Sequence, residues 1–219
     1  MTIPYLPPPH RGLNILYLDD ELLLVDKPAG LLSVPGRGED KQDSLISRVQ
    51  QEFPEALIVH RLDMSTSGIM LLARNKLMHR QLSLLFQERQ VDKRYTAVVE
   101  GIVQQSSGRI DLPLITDWPN RPKQVVNFLV GKPSVTYFNI ASRHPESHCS
   151  RVTLQPITGR THQLRVHLEF IGHAIRGDDL YCHEPSQYPS SRLLLHAHQL
   201  QFQHPSTGRL LHCSSTVPF

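Results

Sequence analysis

Asp63 stands inside the nine-residue stretch His60–Gly68, HRLDMSTSG, with an Arg two places before it and a run of small hydroxyl residues ending in Gly after it. Apolar runs flank the stretch, Leu57 to Val59 before it and Ile69 to Ala73 after it. This pattern predicts strand, exposed turn, strand, with one carboxylate held at the mouth of a cleft. A carboxylate fixed at a strand end suits catalysis, because position there decides rate. An Arg-x-Asp in a polar turn is, taken alone, an ordinary surface ion pair of small value. Two further clusters give it weight. Ile157–His167, ITGRTHQLRVH, reads as a helix start, whose free N–H groups suit anions. It places His162 and Arg165 on one helix, either as a solvated face or aimed into a cleft beside Asp63. An Arg paired to that Asp would keep it ionised and oriented. Lys93, Arg94 and Tyr95 form the other cluster. A Tyr at a strand start packs half-buried or, between two cations, stacks on a nucleobase while they hold phosphates.

The elements that must position these groups follow from periodicity. Residues 1–12 carry four of the 17 prolines and read as an irregular arm. Leu13 to Leu18 and Leu22 to Val25 predict a hairpin around Asp19, Asp20 and Glu21, broken by Lys27 to Gly30. Leu31 to Val34 reads as short and extended. Asp43 or Ser44 caps a helix to about Phe53, with Leu45, Ile46, Val49 and Phe53 on its apolar face. Asn75 caps a second, with Met78, Leu82, Leu85 and Phe86 inward. From Arg94 the period becomes two through Gly101. Strands are then predicted over Arg109 to Leu114, Val125 to Val130, Ser134 to Ala141 and Ser150 to Gln155. Thr161 is expected to cap a third helix that buries Leu164, Leu168 and Ile171 and stops at Gly172. Arg192 to Ala197, Leu200 to Gln203 and Arg209 to His212 close the chain. Successive strands with short turns predict an α+β fold, a mainly antiparallel mixed sheet with helices packed on it. No internal boundary divides residues 13–219.

Composition excludes several classes. At 219 residues, 39% hydrophobic and 20% charged, the chain is an ordinary globular one. A mean hydropathy of -0.28 and the absence of a long apolar run argue against a membrane span. The opening MTIPYLPPPHRG lacks a signal-peptide pattern, so a cytoplasmic protein is expected. The net charge of +3 fits an anionic partner. Three scattered cysteines without a CxxC suggest neither a disulfide framework nor a zinc ribbon. The pairs His144/His148 and His196/His198 form no HExxH, and no metal is expected.

HRLDMSTSG resembles the catalytic motif of the RluA-type pseudouridine synthases. In the same order, VDKPAGLLSVPG, DKRYTAVVEG, GKPSVTYF, ITGRTHQLRVHL, AIRGDDLYC and RLLLHAHQLQFQHP resemble further motifs of that family, from about Ile15 to the C-terminus. The resemblance implies a single catalytic domain over residues 13–219, with a curved sheet and a central RNA-binding cleft. It implies no cofactor, because the product is an isomer of the substrate. It makes Asp63 the essential residue, acting at C1′ or C6 or along a glycal path. Arg165 becomes its ion-pair partner, and Tyr95 stacks on the uracil. His60, Arg61, Leu62, Thr66, Lys93, Arg160, His162, Leu194 and Leu195 become substrate contacts. Arg61 would hold a phosphate or fill the space of the flipped base.

The segment LPLITDWPNRPKQ resembles the dual-specificity branch, which modifies a tRNA anticodon stem-loop and a hairpin of 23S rRNA. It adds Trp118, Arg121 and Lys123 to the substrate contacts. Trp118, the only Trp, either packs under its loop or stacks on RNA. A monomer is expected. Three alternatives stay open: a non-catalytic RNA-binding protein on the same fold, a synthase with a different single rRNA or tRNA target, and a His-rich metal hydrolase.

Overall fold

The computed structural model describes residues 5–182 and 189–219. In chain order the elements are β1 (Ile15–Leu18), β2 (Leu22–Lys27), α1 (Leu45–Glu52), β3 (Leu57–Ile58), β4 (Ser67–Ala73), α2 (Lys76–Gln87) and β5 (Asp92–Glu100). Then come β6 (Ser107–Asp111), β7 (Leu114–Thr116), β8 (Gln124–Val126), β9 (Val135–His144), β10 (Cys149–Pro156), α3 (Gln163–Phe170), β11 (Leu195–Gln203) and β12 (Leu210–Ser214). The class is α+β, as predicted. No described helix is long and apolar enough to cross a membrane. The chain gathers into two compact units, Met1–Asp92 with Ala197–Pro218, and Lys93–His196 with Phe219.

In the first unit β2 pairs antiparallel with β1 and with β4, β3 lies antiparallel on β4, and β12 lies antiparallel on β11. Every residue of β4 is buried, so its run SGIMLLA lacks the alternation of a half-exposed strand. Leu22, Leu24, Ile69, Leu71, Met78, Leu82 and Phe202 make its core. The helix caps follow the sequence reading. Ser44 and Ser47 form a reciprocal capping box at α1, and Asn75 accepts from Met78 N (2.8 Å) at α2. The described part of the arm is anchored on α1. Tyr5 Oη donates to Asp43 O (3.0 Å), and Arg48, held by both oxygens of Asp43, donates to Pro8 O (2.6 Å).

The second unit is the antiparallel succession β5–β10–β9–β6, with the hairpin β7–β8 and α3. Its core joins Ala97, Val99, Val152 and Leu154 of the sheet to Leu164 and Leu168 of α3.

Several boundaries differ from expectation, each for a local reason. Leu31–Val34 forms no strand; its Ser33 hydroxyl is spent on the backbone of Leu62. The stretch expected over Arg109–Leu114 is cut at Pro113, which cannot donate to a ladder. The strand expected over Val125–Val130 ends at Val126, because Asn127 Oδ1 accepts from Leu129 N (2.9 Å) and Val130 N (3.0 Å) and turns the chain. The third helix is capped by His162 in the left-handed region (φ 53°), not by Thr161, and Ile171 lies exposed beyond its end. The two runs predicted around Arg192–Gln203 are one strand, because His198 and Gln199 continue β11 as half-buried polar positions.

Candidate active site

In the first unit, Asp63 is half-buried on the turn between β3 and β4, and its carbonyl accepts from Thr66 N (3.1 Å). The turn is held from below. Lys27, at the end of β2, is fully buried, and its ammonium donates to Pro28 O (2.9 Å), Leu31 O (2.7 Å) and Met64 O (3.1 Å). Gly30 N also donates to Met64 O (2.8 Å). Ser33 Oγ donates to Leu62 O (2.6 Å) and accepts from Leu62 N (3.2 Å). The backbone on both sides of Asp63 is therefore fixed to residues 27–33. Gly68 closes the turn at φ +119°, where a Cβ would collide with the carbonyl oxygen of Ala197. Of the expected substrate contacts here, Arg61 is exposed, Leu62 and Thr66 are buried, and His60 stacks on Phe86 (centroids 4.5 Å apart) while its Nε2 accepts from Leu71 N (3.0 Å).

Lys27 and Ser33 lie within VDKPAGLLSVPG, and neither stands out there as a site residue. A lysine before Pro-Ala-Gly reads as a polar strand end, and only burial reveals it as a clamp. Lys27→Met is expected to cost about 3 kcal/mol of stability, because the carbonyls of Pro28, Leu31 and Met64 lose the ammonium that joins them, and that of Leu31 is buried. Urea unfolding checks this, and an unchanged midpoint would show the ammonium to be dispensable.

In the second unit, Arg165 is buried on α3 and gripped by a carboxylate from the following loop. Its Nε and Nη2 donate to the two oxygens of Asp178 (2.7 Å each), and Nη2 also reaches Asp179 Oδ1 (3.2 Å). Asp178 Oδ1 further accepts from Leu180 N (2.9 Å) and Tyr181 N (3.1 Å). The Tyr181 ring lies 5.2 Å from the guanidinium carbon. Its hydroxyl bonds His162 Nδ1 (2.7 Å) and accepts from Gln124 N (2.8 Å), tying the β7–β8 hairpin to the start of α3. The planar fork of Arg165 thus has a fixed orientation. Asp178 and Tyr181 lie within AIRGDDLYC, and neither stands out there as a site residue. Adjacent acids followed by an aromatic are the only trace they leave in the sequence.

Lys93, Arg94 and Tyr95 are half-buried on β5, where Tyr95 stands opposite Leu154 and packs on the core of its unit. Leu194 is half-buried and Leu195 buried, with Val98 N donating to Leu194 O (3.1 Å). Arg160 is exposed and donates to Pro133 O (3.3 Å). Trp118 does not pack under its loop. It is 65% exposed, with the Arg121 guanidinium 4.5 Å from its ring and half-buried Lys123 nearby in the same turn. Among the described residues no three His, Cys, Asp or Glu side chains gather as a metal ion would require.

His167 holds the underside of α3. Its Nε2 donates to Leu112 O (3.1 Å), which leaves Nδ1 to accept from the Thr136 hydroxyl (3.0 Å). Burial pushes its pKa below the usual 6.5, partly offset by the bond to the Leu112 carbonyl. The unfolded chain takes up this proton first as pH falls, so the stabilisation is complete above the unfolded pKa and is lost as pH drops through it. The urea midpoint is expected to fall between about pH 7.5 and about pH 5.5, and to fall less in His167→Gln. Parallel pH dependence in the two proteins would remove His167 as the cause.

Comparison with known proteins gives the family. The family model for RNA pseudouridylate synthase matches residues 21–170. The chain is 50% identical over 208 residues to a dual-specificity RNA pseudouridine synthase RluA from Vibrio parahaemolyticus, covering 94% of this chain and 83% of that protein. It is 46% identical over 215 residues to the protein of the same description from Escherichia coli strain K12, covering 98% of each. Among solved structures, human RNA pseudouridylate synthase domain containing 1 superposes with a TM-score of 0.79 at 30% identity, over 98% of this chain and 87% of that one. An aspartate on a clamped turn, a chain-long likeness in sequence and a matching fold lead to one conclusion: the chain belongs to the RNA pseudouridylate synthase family, isomerases that convert uridine to pseudouridine in RNA.

Proposed function

We propose that this chain is a dual-specificity RNA pseudouridine synthase acting on a 23S rRNA hairpin and a tRNA anticodon stem-loop in the cytoplasm. The observation that carries the reading is near-full-length identity of 46–50% to relatives described as dual-specificity RNA pseudouridine synthase RluA. The exposed Trp118–Arg121 stack supports it, since an aromatic face beside cations suits an unpaired base and its phosphates.

The reaction breaks N1–C1′ of uridine, turns the base and joins C5 to C1′. The target leaves its stack to be reached. In this reading Asp63 supplies the anion, by adding to carbon or by taking a proton, and the clamp of Lys27 and Ser33 sets where its backbone stands. Tyr95 stacks on the uracil. Arg165 is the oriented cation, held in place by Asp178. Arg61, exposed on the same turn as Asp63, fills the space left by the base or holds a phosphate.

The test is to map pseudouridine in 23S rRNA and tRNA transcripts incubated with the purified protein. New pseudouridine in both supports dual specificity. Modification of one keeps the chemistry and removes the branch assignment. Modification of neither overturns the proposed substrates.

A further inference from the structure

From the edge strand β6 and the recess beside it, we infer that two copies of this chain pair through β6, extending the sheet of the second unit across a two-fold axis. The strand ends the order β5–β10–β9–β6. On its inner side the ladder runs from Ile140 N to Ser106 O (2.8 Å) to Leu112 N to Ser134 O (3.2 Å), so the even-numbered residues between bond to β9. The N–H and C=O groups of Ser107, Arg109 and Asp111 point outward, and none has a main-chain partner among the described residues. Beside this edge a recess of about 570 Å³ opens toward the end of α3, lined by Ile110, Leu112, Phe138, Phe170 and Ile171 among others. Phe170 is 51% exposed there.

An added strand would send the side chains opposite Gly108 and Ile110 to the recess side, because residues facing each other across a pair share a face. The Phe138 ring fills the space over Gly108, 2.5 Å from where a Cβ would stand, so the side chain facing Gly108 would pack on that ring.

The strand's own charges select its partner. Arg109 and Asp111, both exposed, pair with each other within the strand. Charged residues on an edge normally discourage pairing. In one antiparallel self-register, however, Arg109 of each copy faces Asp111 of the other. Both residues carry outward main-chain groups, so each facing pair can exchange both backbone bonds. The same register sets Ile110 against Ile110 of the second copy, and Leu112 of the second copy over Gly108. Exposed ion pairs add little affinity, so the charges act by fixing register. This departs from the monomer expected from the sequence, and it does not depend on which RNA is modified.

The test is sedimentation of the full chain over a concentration series. The mass is expected to rise from 24.9 kDa toward twice that value, with the midpoint in the micromolar to millimolar range of small interfaces. Arg109→Pro removes an outward N–H and the register-setting guanidinium but no bond to β9, and should stay monomeric. Asp111→Arg should do the same by setting like charges opposite, and the exchange Arg109→Asp with Asp111→Arg should restore the dimer. Circular dichroism confirms that each variant is folded; if Arg109→Pro is not, the charge variants decide. A wild-type monomer throughout overturns the inference, as does a dimer that survives Asp111→Arg. Pairing with the β-strand of another protein would appear as the first of these outcomes.

Discussion

Replacing Asp63 with Asn is expected to lower pseudouridine formation by about three orders of magnitude or more, while RNA binding stays close to wild type. Asn keeps the size of the side chain and the backbone carbonyl that accepts from Thr66 N, but it removes the anion. Loss of a reacting group has effects of that order or larger when nothing else can take its place. Asp63→Glu is the more informative variant. It keeps the charge and pushes it outward by about 1 Å, a displacement that costs ~100-fold when the reacting geometry is fixed. The backbone cannot follow easily, since Leu62 is held by Ser33, and Met64 by Lys27 and Gly30. Activity of the Asp63→Glu variant near wild type would show that the turn adjusts and that the clamp does not set the position of the carboxylate. Single-turnover kinetics with RNA in hand, alongside filter binding, separates the chemical step from affinity.

The fold was legible where local signals and the tertiary answer agree. Ser44 and Asn75 stand ahead of apolar residues at helical spacing, and both cap the helices expected of them. Val125–Val130 misled because its apolar residues suggest a strand, while Asn127 captures two backbone N–H groups and the chain turns. The left-handed cap at His162 could not be seen either. Its ring is held by Tyr181, which arrives from the loop after α3, so its conformation is set by a residue distant in sequence.

The same division runs through the candidate site residues. Asp63, Tyr95 and Arg165 stood out because a carboxylate, an aromatic beside cations and an arginine at a helix start each suggest chemistry by type. Lys27, Ser33, Asp178 and Tyr181 bond other residues of the chain. Their roles come from burial and from partners elsewhere in the chain, such as Lys27 meeting Met64. Periodicity identifies which face of an element is buried; it does not reveal that a buried ammonium is matched to three carbonyls.

Asp178→Ala is expected to cost about 3–5 kcal/mol of stability, the usual range for breaking a buried ion pair by removing one partner. The side chain of Arg165 is 3% exposed and Asp178 is fully buried, so solvent cannot take over the lost bonds. Asp179 remains within reach of the guanidinium, but its side chain is 74% exposed and one oxygen cannot restore the two-point grip. The main-chain N–H groups of Leu180 and Tyr181 lose their acceptor as well, which loosens the loop that carries Tyr181 to His162 and Gln124. A double-mutant cycle with Arg165→Met separates these effects. If the pair dominates, the double variant is more stable than Asp178→Ala, because no buried cation is left without its grip. If the loop dominates, the two losses add. Asp178→Asn gives the catalytic side of the same argument, since it retains an oxygen for the two N–H groups but sets an amide against the guanidinium. With Asp178 as a positioning residue, the chemical step slows while RNA affinity changes little. Equal loss in both would place Asp178 in RNA binding, and stability loss with unchanged turnover would make its role purely structural.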